Sequence, residues 1–264
     1  MPLPGAEYDQ SMAWDPTVYL TFDDDRSRPF HDLVARIGAT EPRRVVDLGC
    51  GPGHLTGLLA ARWPDAELDA LDSSPEMVAD AQARGVAARE VDVRDWHPGE
   101  TDDVVVTNAV LQWVPEHAEL LVSWVAGMPK GGWFAMQVPG NFNAPSHALL
   151  RELLAEPAWR GRVTVRDELA VSTPTEYADS VADLGAEVDA WETTYLHRLT
   201  GTDPVLTWMT GTALRPVRAA LDDTEWDRFR AELAPRLRTA YPARSDGTTW
   251  FPFRRIFVVA RAGG

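Results

Sequence analysis

Apolar and polar positions along the 264-residue chain fall into blocks that read alternately as strand and helix. Arg44-Val45-Val46-Asp47-Leu48 has the apolar run of a buried strand, and residues 54–63 carry Leu55, Leu58 and Leu59 on one helical face. Residues 68–72 predict a second strand. Ser74-Pro75-Glu76 then opens a helix, with Ser as N-cap, Pro in the first turn and an acid beside the positive end of the helix dipole. That helix stops near Gly85. Residues 88–93 and the β-branched run 103–107 predict strands three and four. A helix over 116–126 and a strand over 132–138 complete the series, and a short helix over 28–37 precedes it. After Pro139 the pattern weakens, leaving helices over 145–155, 174–184, 204–209 and 223–240 and strands over 187–196 and 255–261. Five strand–helix alternations imply an α/β fold: a Rossmann-like, seven-stranded, mostly parallel, doubly wound sheet with a helical C-terminal cover. Residues 1–11 read as an extension, 12–264 as one domain, and 197–250 as a helical insertion forming part of a substrate pocket.

Composition narrows the partners. Apolar residues make up 45 % of the chain and the formal net charge is −15, which disfavours nucleic acid and anionic membranes. No apolar run is long enough for a membrane span, and the first residues lack a signal-peptide pattern. With one cysteine, Cys50, a cytoplasmic protein is expected, monomeric or weakly dimeric. The charge is uneven, however. Residues 191–264 hold eleven Arg and no Lys against eight acidic residues, a local net charge of +3.

The sharpest motif is Asp47-Leu48-Gly49-Cys50-Gly51-Pro52-Gly53, between a strand and a helix, where parallel sheets bind ligands. Its spacing is G-x-G-x-G, with His54 where a dinucleotide fingerprint needs its third glycine. Asp47 would repel a pyrophosphate but suits an ammonium group, such as that of S-adenosylmethionine. Asp72, ending strand two, can accept both ribose hydroxyls. Asp92 can take an adenine amino group while Val93 and Met77 line the ring, and Asn108 ends strand four facing the amino-acid portion. Gly49, Cys50, Gly51, Gly53 and Ser73 complete the expected cofactor shell, with Phe22 folding over it from the N-terminal segment.

The glycine loop resembles motif I of the class I methyltransferases, and Asp72-Ser73-Ser74-Pro75-Glu76-Met77, Asp92-Val93-Arg94-Asp95-Trp96 and Asn108-Ala109-Val110-Leu111-Gln112-Trp113 look like the motifs that follow it. A narrower resemblance runs from Met12 onward. Met12-Ala13-Trp14-Asp15-Pro16-Thr17-Val18-Tyr19-Leu20-Thr21-Phe22 with Arg26-Ser27-Arg28-Pro29, then Trp191-Glu192-Thr193-Thr194-Tyr195-Leu196-His197, Gly211-Thr212-Ala213-Leu214-Arg215-Pro216 and residues 251–261 are similar to the trans-aconitate 2-methyltransferase family. Phe253-Arg254-Arg255 departs from it, since a single arginine is expected there. The resemblance implies methyl transfer from S-adenosylmethionine to a carboxylate, giving a monomethyl ester.

A carboxylate acceptor is already ionised near neutral pH, so the chemistry asks for alignment rather than a base. Local arginines must receive a polycarboxylate on so acidic a protein. The candidates are Arg215, before Pro216 at an expected helix end; Arg255; Arg198, at an expected strand end; and Arg28. Tyr19, Gln112, Trp113, Tyr241 and Trp250 are candidate walls. His54, His97, His117, His147 and His197 lack ligand spacing, so no metal site is expected. Three readings compete with this one: a methyltransferase for a natural-product hydroxyl or amine, a nicotinamide dehydrogenase, and a non-catalytic S-adenosylmethionine-binding protein.

Overall fold

A computed structural model describes residues 23–163 and 171–263. The chain divides into two compact units. The second unit, Asp24–Phe142 with residues 171–197 and 252–263, contains most of the sheet. Its elements are α1 (Asp23–Val34), β1 (Arg44–Leu48), α2 (Thr56–Arg62), β2 (Glu67–Asp72), α3 (Pro75–Ala83), β3 (Ala88–Glu90), β4 (Asp102–Asn108), α4 (His117–Gly127), β5 (Trp133–Pro139) and α6 (Pro174–Ala182), with most of β6 (Glu187–Leu199) and β7 (Thr249–Arg261). Strand order is β3-β2-β1-β4-β5-β7-β6. β1 to β5 pair in parallel and β7 runs antiparallel to β5. The chain steps outward from β1 to β3 and returns beside β1 as β4, which makes the β1/β4 tip a topological switch point.

Strand alternation sorts the core into two faces. Val46, Leu48, Val105, Phe134, Met136 and Val258 pack with Trp124 of α4 and Val181 of α6. Val45, Val104, Val106, Ala135 and Phe257 pack with Phe30, Leu33 and Leu59 of α1 and α2. Ser74 caps α3 as its sequence implies, accepting from the Met77 N–H at 3.3 Å. Where expectation and structure part, local chemistry explains the difference. α1 starts at Asp23, not Arg28, and carries Pro29 inside it at the cost of one backbone bond. β3 stops at Glu90 because the Asp92 carboxylate accepts from the Arg94 N–H and caps a turn of 3₁₀ helix over Val93–Asp95.

The first unit is built mainly from residues 143–163 and Arg198–Phe251. It holds α5 (Pro145–Ala155), α7 (Pro204–Thr210), α8 (Arg215–Ala220) and α9 (Asp223–Ala240). A capping box opens α9, with Asp222 and Glu225 each accepting a backbone N–H of the other. Trp159 meets Phe229 edge-on at 5.1 Å, and its indole N–H donates to Glu232 at 2.8 Å. α8 was not expected. Arg215 opens it with Pro216 in its first turn, so the arginine begins a helix rather than ending one. Among the described residues, no helix is long and apolar enough to cross a membrane.

The Trp124 ring is fully buried, edge-on to Trp96 at 5.7 Å, and its N–H donates to the Trp96 carbonyl at 3.1 Å. Trp124→Ala opens a cavity and strands that carbonyl, so we expect a loss of about 3–5 kcal/mol. Urea denaturation reads it directly; a loss below ~1 kcal/mol would mean that α4 closes onto the sheet without the indole.

Candidate active site

The glycine loop leaves β1 at Leu48 and folds back on β2, where the Leu71 carbonyl accepts the N–H groups of both Gly49 (2.7 Å) and Cys50 (2.9 Å). Gly49 takes φ +77°, and a Cβ there would lie 2.2 Å from Val110 Cγ2, so no larger residue fits. Gly51, at φ +55°, has open space where its side chain would be. The loop therefore pairs a tight turn with an approachable backbone.

Two carboxylates flank it. Asp47 is buried, and the Thr56 hydroxyl donates to its Oδ2 at 2.7 Å. Burial pushes the Asp47 carboxyl up to about 6, against the pull of Thr56 and with a further push from the charge of Asp72. Asp72 accepts from the backbone N–H of Gly51 on Oδ2 and of Ser74 on Oδ1, each at 2.9 Å. Burial raises its pKa too, opposed by the backbone N–H groups of Ser74, Gly51 and Ser73. The donors to both acids are neutral hydroxyl and amide groups, so a cationic ligand supplies what the site lacks. The lone pairs of Asp72 beyond those two bonds leave room for ribose hydroxyls. These residues thus fit S-adenosylmethionine: Asp47 toward its ammonium, Asp72 toward its ribose, and the Gly49–Gly53 backbone against the chain between.

The other expected cofactor residues stand around the same strand tips. Cys50, Met77 and Val93 are buried and Ser73 is exposed. Burial drives the Cys50 thiol far above its ordinary value, so it stays protonated. Asp92 is tied to Arg94 through contacts of 2.9 and 2.5 Å, which hold its carboxyl below the usual range. Asn108 pairs with Gln137 across β4 and β5, and after it Ala109 turns through φ +58°, its N–H donating to the Gln137 carbonyl at 2.9 Å. The amide of Gln112 donates to the Ala109 carbonyl at 2.6 Å, beside a Trp113 that is 38 % exposed. Phe22 and Tyr19 lie outside the described residues.

In the second unit, Arg28 lies 5.2 Å from the ring centre of Tyr195, whose hydroxyl donates to Asp32 at 2.6 Å. Arg255 is buried over the Phe253 ring at 4.5 Å, and its Nη1 donates to Gln137 Oε1 at 3.4 Å. The charges of both Arg28 and Arg255 act on the Tyr195 phenol. In the first unit, Arg215 is half-buried, and desolvation pulls its guanidinium down. Arg198 is exposed and meets Asp246 at 3.4 Å. The Tyr241 hydroxyl accepts the Ser146 N–H at 3.0 Å within the helical packing, and Trp250 is exposed beside Arg244. Thr56, Asp32, Tyr195 and Gln137 were not anticipated. Only Gln137 left a signal, as the one amide in the apolar strand Trp-Phe-Ala-Met-Gln-Val-Pro.

Comparisons with known proteins bear on this geometry. A family described as a methyltransferase domain matches residues 22–190. The trans-aconitate 2-methyltransferase of Rhodococcus jostii is 60 % identical over 251 residues, spanning 94 % of this chain and 99 % of its own. Proteins of that name from Mycobacterium marinum and Mycobacterium tuberculosis are 57 % and 56 % identical, each over 95 % of this chain and 97 % of theirs. Among solved structures, the YcgJ protein of Bacillus subtilis superposes with a TM-score of 0.57 at 13 % identity, covering 90 % of this chain and 99 % of that one. Haemonchus contortus phosphoethanolamine N-methyltransferase 2, bound to S-adenosylhomocysteine, gives 0.53 at 13 % identity, covering 90 % of this chain and 53 % of its own. At such identities the likeness is one of fold.

The raised Asp47 pKa predicts a pH signature in the ligand-free protein. Unfolded, the group titrates near its ordinary 3.8; folded, near 6. Stability from this group is therefore full below pH ~4 and is lost as pH rises through about 6. We expect Asp47→Asn to match the wild type near pH 4, gain on it by up to ~1.4 kcal/mol per pH unit, and level off above pH ~6. Urea midpoints across pH 4–8 measure this; parallel curves would place the Asp47 carboxylate in water.

Proposed function

Since the chain belongs to the trans-aconitate 2-methyltransferase family, we propose that it esterifies one carboxylate of trans-aconitate with the methyl group of S-adenosylmethionine. When bound, the cofactor supplies an activated methyl group on its sulfonium and leaves as S-adenosylhomocysteine. Every other demand falls on the protein. The acceptor oxygen is anionic at neutral pH, so no side chain has to remove a proton. Asp47 and Asp72 anchor the donor by charge and hydrogen bonding, and the glycine loop lets it lie against the backbone. Alignment of donor and acceptor can supply ~7–11 kcal/mol of the barrier.

On the acceptor side, the observations that carry the reading are Arg28 over the Tyr195 ring and Arg255 over the Phe253 ring in one unit, the charges of both acting on the Tyr195 phenol. Two guanidinium groups against rings form a receptor for a polyanion. Phe253 backs Arg255, and the Tyr195–Asp32 bond fixes the phenol beneath Arg28. Arg215 is a further candidate in the first unit, and a role for residues 197–250 in acceptor recognition rests on it.

With purified protein, radiolabelled methyl transfer across a panel of di- and tricarboxylates should put trans-aconitate first and give a base-labile product. Arg255→Ala should raise the trans-aconitate KM at least ~10-fold, as expected on losing a charged hydrogen bond, while calorimetry shows unchanged S-adenosylhomocysteine affinity. Arg215→Ala is the parallel test in the first unit. Asp72→Ala should do the reverse, weakening the cofactor first. Labelling of hydroxyl or amine acceptors but of no carboxylate would replace this acceptor class with another.

A further inference from the structure

We propose that Gln137 is an acceptor-binding and specificity-determining residue: its carbonyl oxygen holds the Arg255 guanidinium, and its amide N–H groups bind a second carboxylate of the polycarboxylate acceptor. The inference rests on the acceptor reading above and deepens it.

Gln137 is 1 % exposed in an interior strand that is otherwise apolar along its length. A primary amide in that position is costly for each polar group left without a partner. Its oxygen has one, the Arg255 N–H at 3.4 Å. Its nitrogen, with two donor hydrogens, makes no hydrogen bond among the described residues. Turning the amide over would set those hydrogens against the guanidinium, donor against donor, so Arg255 fixes which way the group faces. The carbonyl holds the cation and the donors are left for something else.

Register shows where they stand. Asp47, Val106 and Ala135 lie side by side on β1, β4 and β5, and one step further along the same face come Asn108 and Gln137. Strands are ~4.8 Å apart, so Gln137 sits on the order of 10 Å sideways from β1, on the Asp47 face of the sheet. Asn108, its register partner, also carries a buried side-chain oxygen with no bond among the described residues. The two strand-tip amides thus continue the line that begins at the cofactor's carboxylates. Pro139 pairs with Arg255 on β7, which brings the guanidinium diagonally against Gln137 on that face.

A carboxylate is planar with two oxygens, and a guanidinium N–H beside an amide N–H matches it. The amide adds a donor without adding a charge that a neighbouring acid could neutralise, which matters on a chain with a net charge of −15. It also discriminates. An acceptor without the second carboxylate leaves buried donors unmet, and sites built that way reject such analogues strongly.

Steady-state kinetics of wild type, Gln137→Met and Gln137→Glu against trans-aconitate and a panel of mono- and dicarboxylates tests this, with S-adenosylhomocysteine affinity measured by calorimetry. Gln137→Met keeps the volume and removes the donors. We expect its trans-aconitate KM to rise at least ~10-fold, kcat to fall less, the preference for polycarboxylates over monocarboxylates to narrow, and cofactor affinity to stay within twofold. Gln137→Glu sets a negative charge on Arg255 and should raise KM further. If the glutamate variant does not fold, the methionine variant alone decides. A purely structural role would lower kcat for every acceptor alike and leave the preference intact, and that result, or wild-type KM values in the variants, overturns the inference. If the wild type forms no methyl ester, the acceptor reading falls and takes this inference with it; an active wild type with indifferent variants overturns Gln137 alone.

Discussion

A carboxylate must be kept where the sheet would exclude it. Asp47 is the next-to-last residue of an apolar strand, and burial, with a smaller push from the charge of Asp72, lifts its pKa to about 6. One hydroxyl, Thr56, opposes that shift from the start of α2. The arrangement stores an unfavourable interaction that a bound cation would relieve. The family resemblance of the chain becomes physical here: a donor carrying an ammonium and a sulfonium is matched by acids whose protein partners are neutral donors.

The loop that delivers this carboxylate depends on backbone conformation more than on side chains. Gly49 abuts Val110, which follows Ala109, and both Gly49 and Ala109 have positive φ. The tips of β1 and β4 are thus interlocked at the switch point: the β1 loop can turn tightly only because it has no Cβ to meet the β4 loop. From this junction β1 carries Asp47 and β4 carries Asn108, the two strands paired in parallel register.

Much of this was legible in the sequence. The G-x-G-x-G spacing, Asp47 and Asp72 at consecutive strand ends, and the Ser74-Pro75-Glu76 helix start are local chemistry, and local chemistry is written contiguously. α8 was missed because the Arg215-Pro216 pair reads equally well as a stop or a first turn. The acceptor side was less legible for a different reason. Thr56 contacts Asp47 across nine residues, but Tyr195 reaches Asp32 across 163 and Arg255 reaches Gln137 across 118. Such partners are set by sheet order, and β7 inserting between β5 and β6 is invisible to periodicity. Arg28 and Arg255 could be nominated from their charge, but their partners Tyr195 and Gln137 required the topology.

Strand alternation also resolves the doubled arginine of β7. Arg254 projects from one face and forms an ion pair with Glu192 at 2.8 Å. Arg255 projects from the other, over Phe253 and against Gln137. Elsewhere on this acidic chain several arginines pair with carboxylates: Arg43 with Asp103, Arg89 with Asp69, Arg162 with Glu225, Arg238 with Asp203. Each such pair spends its cation on the protein's own acid. Rings and amide oxygens position a guanidinium without setting a formal negative charge against it. A period of two thus sets one of two adjacent arginines against a glutamate and the other against an amide.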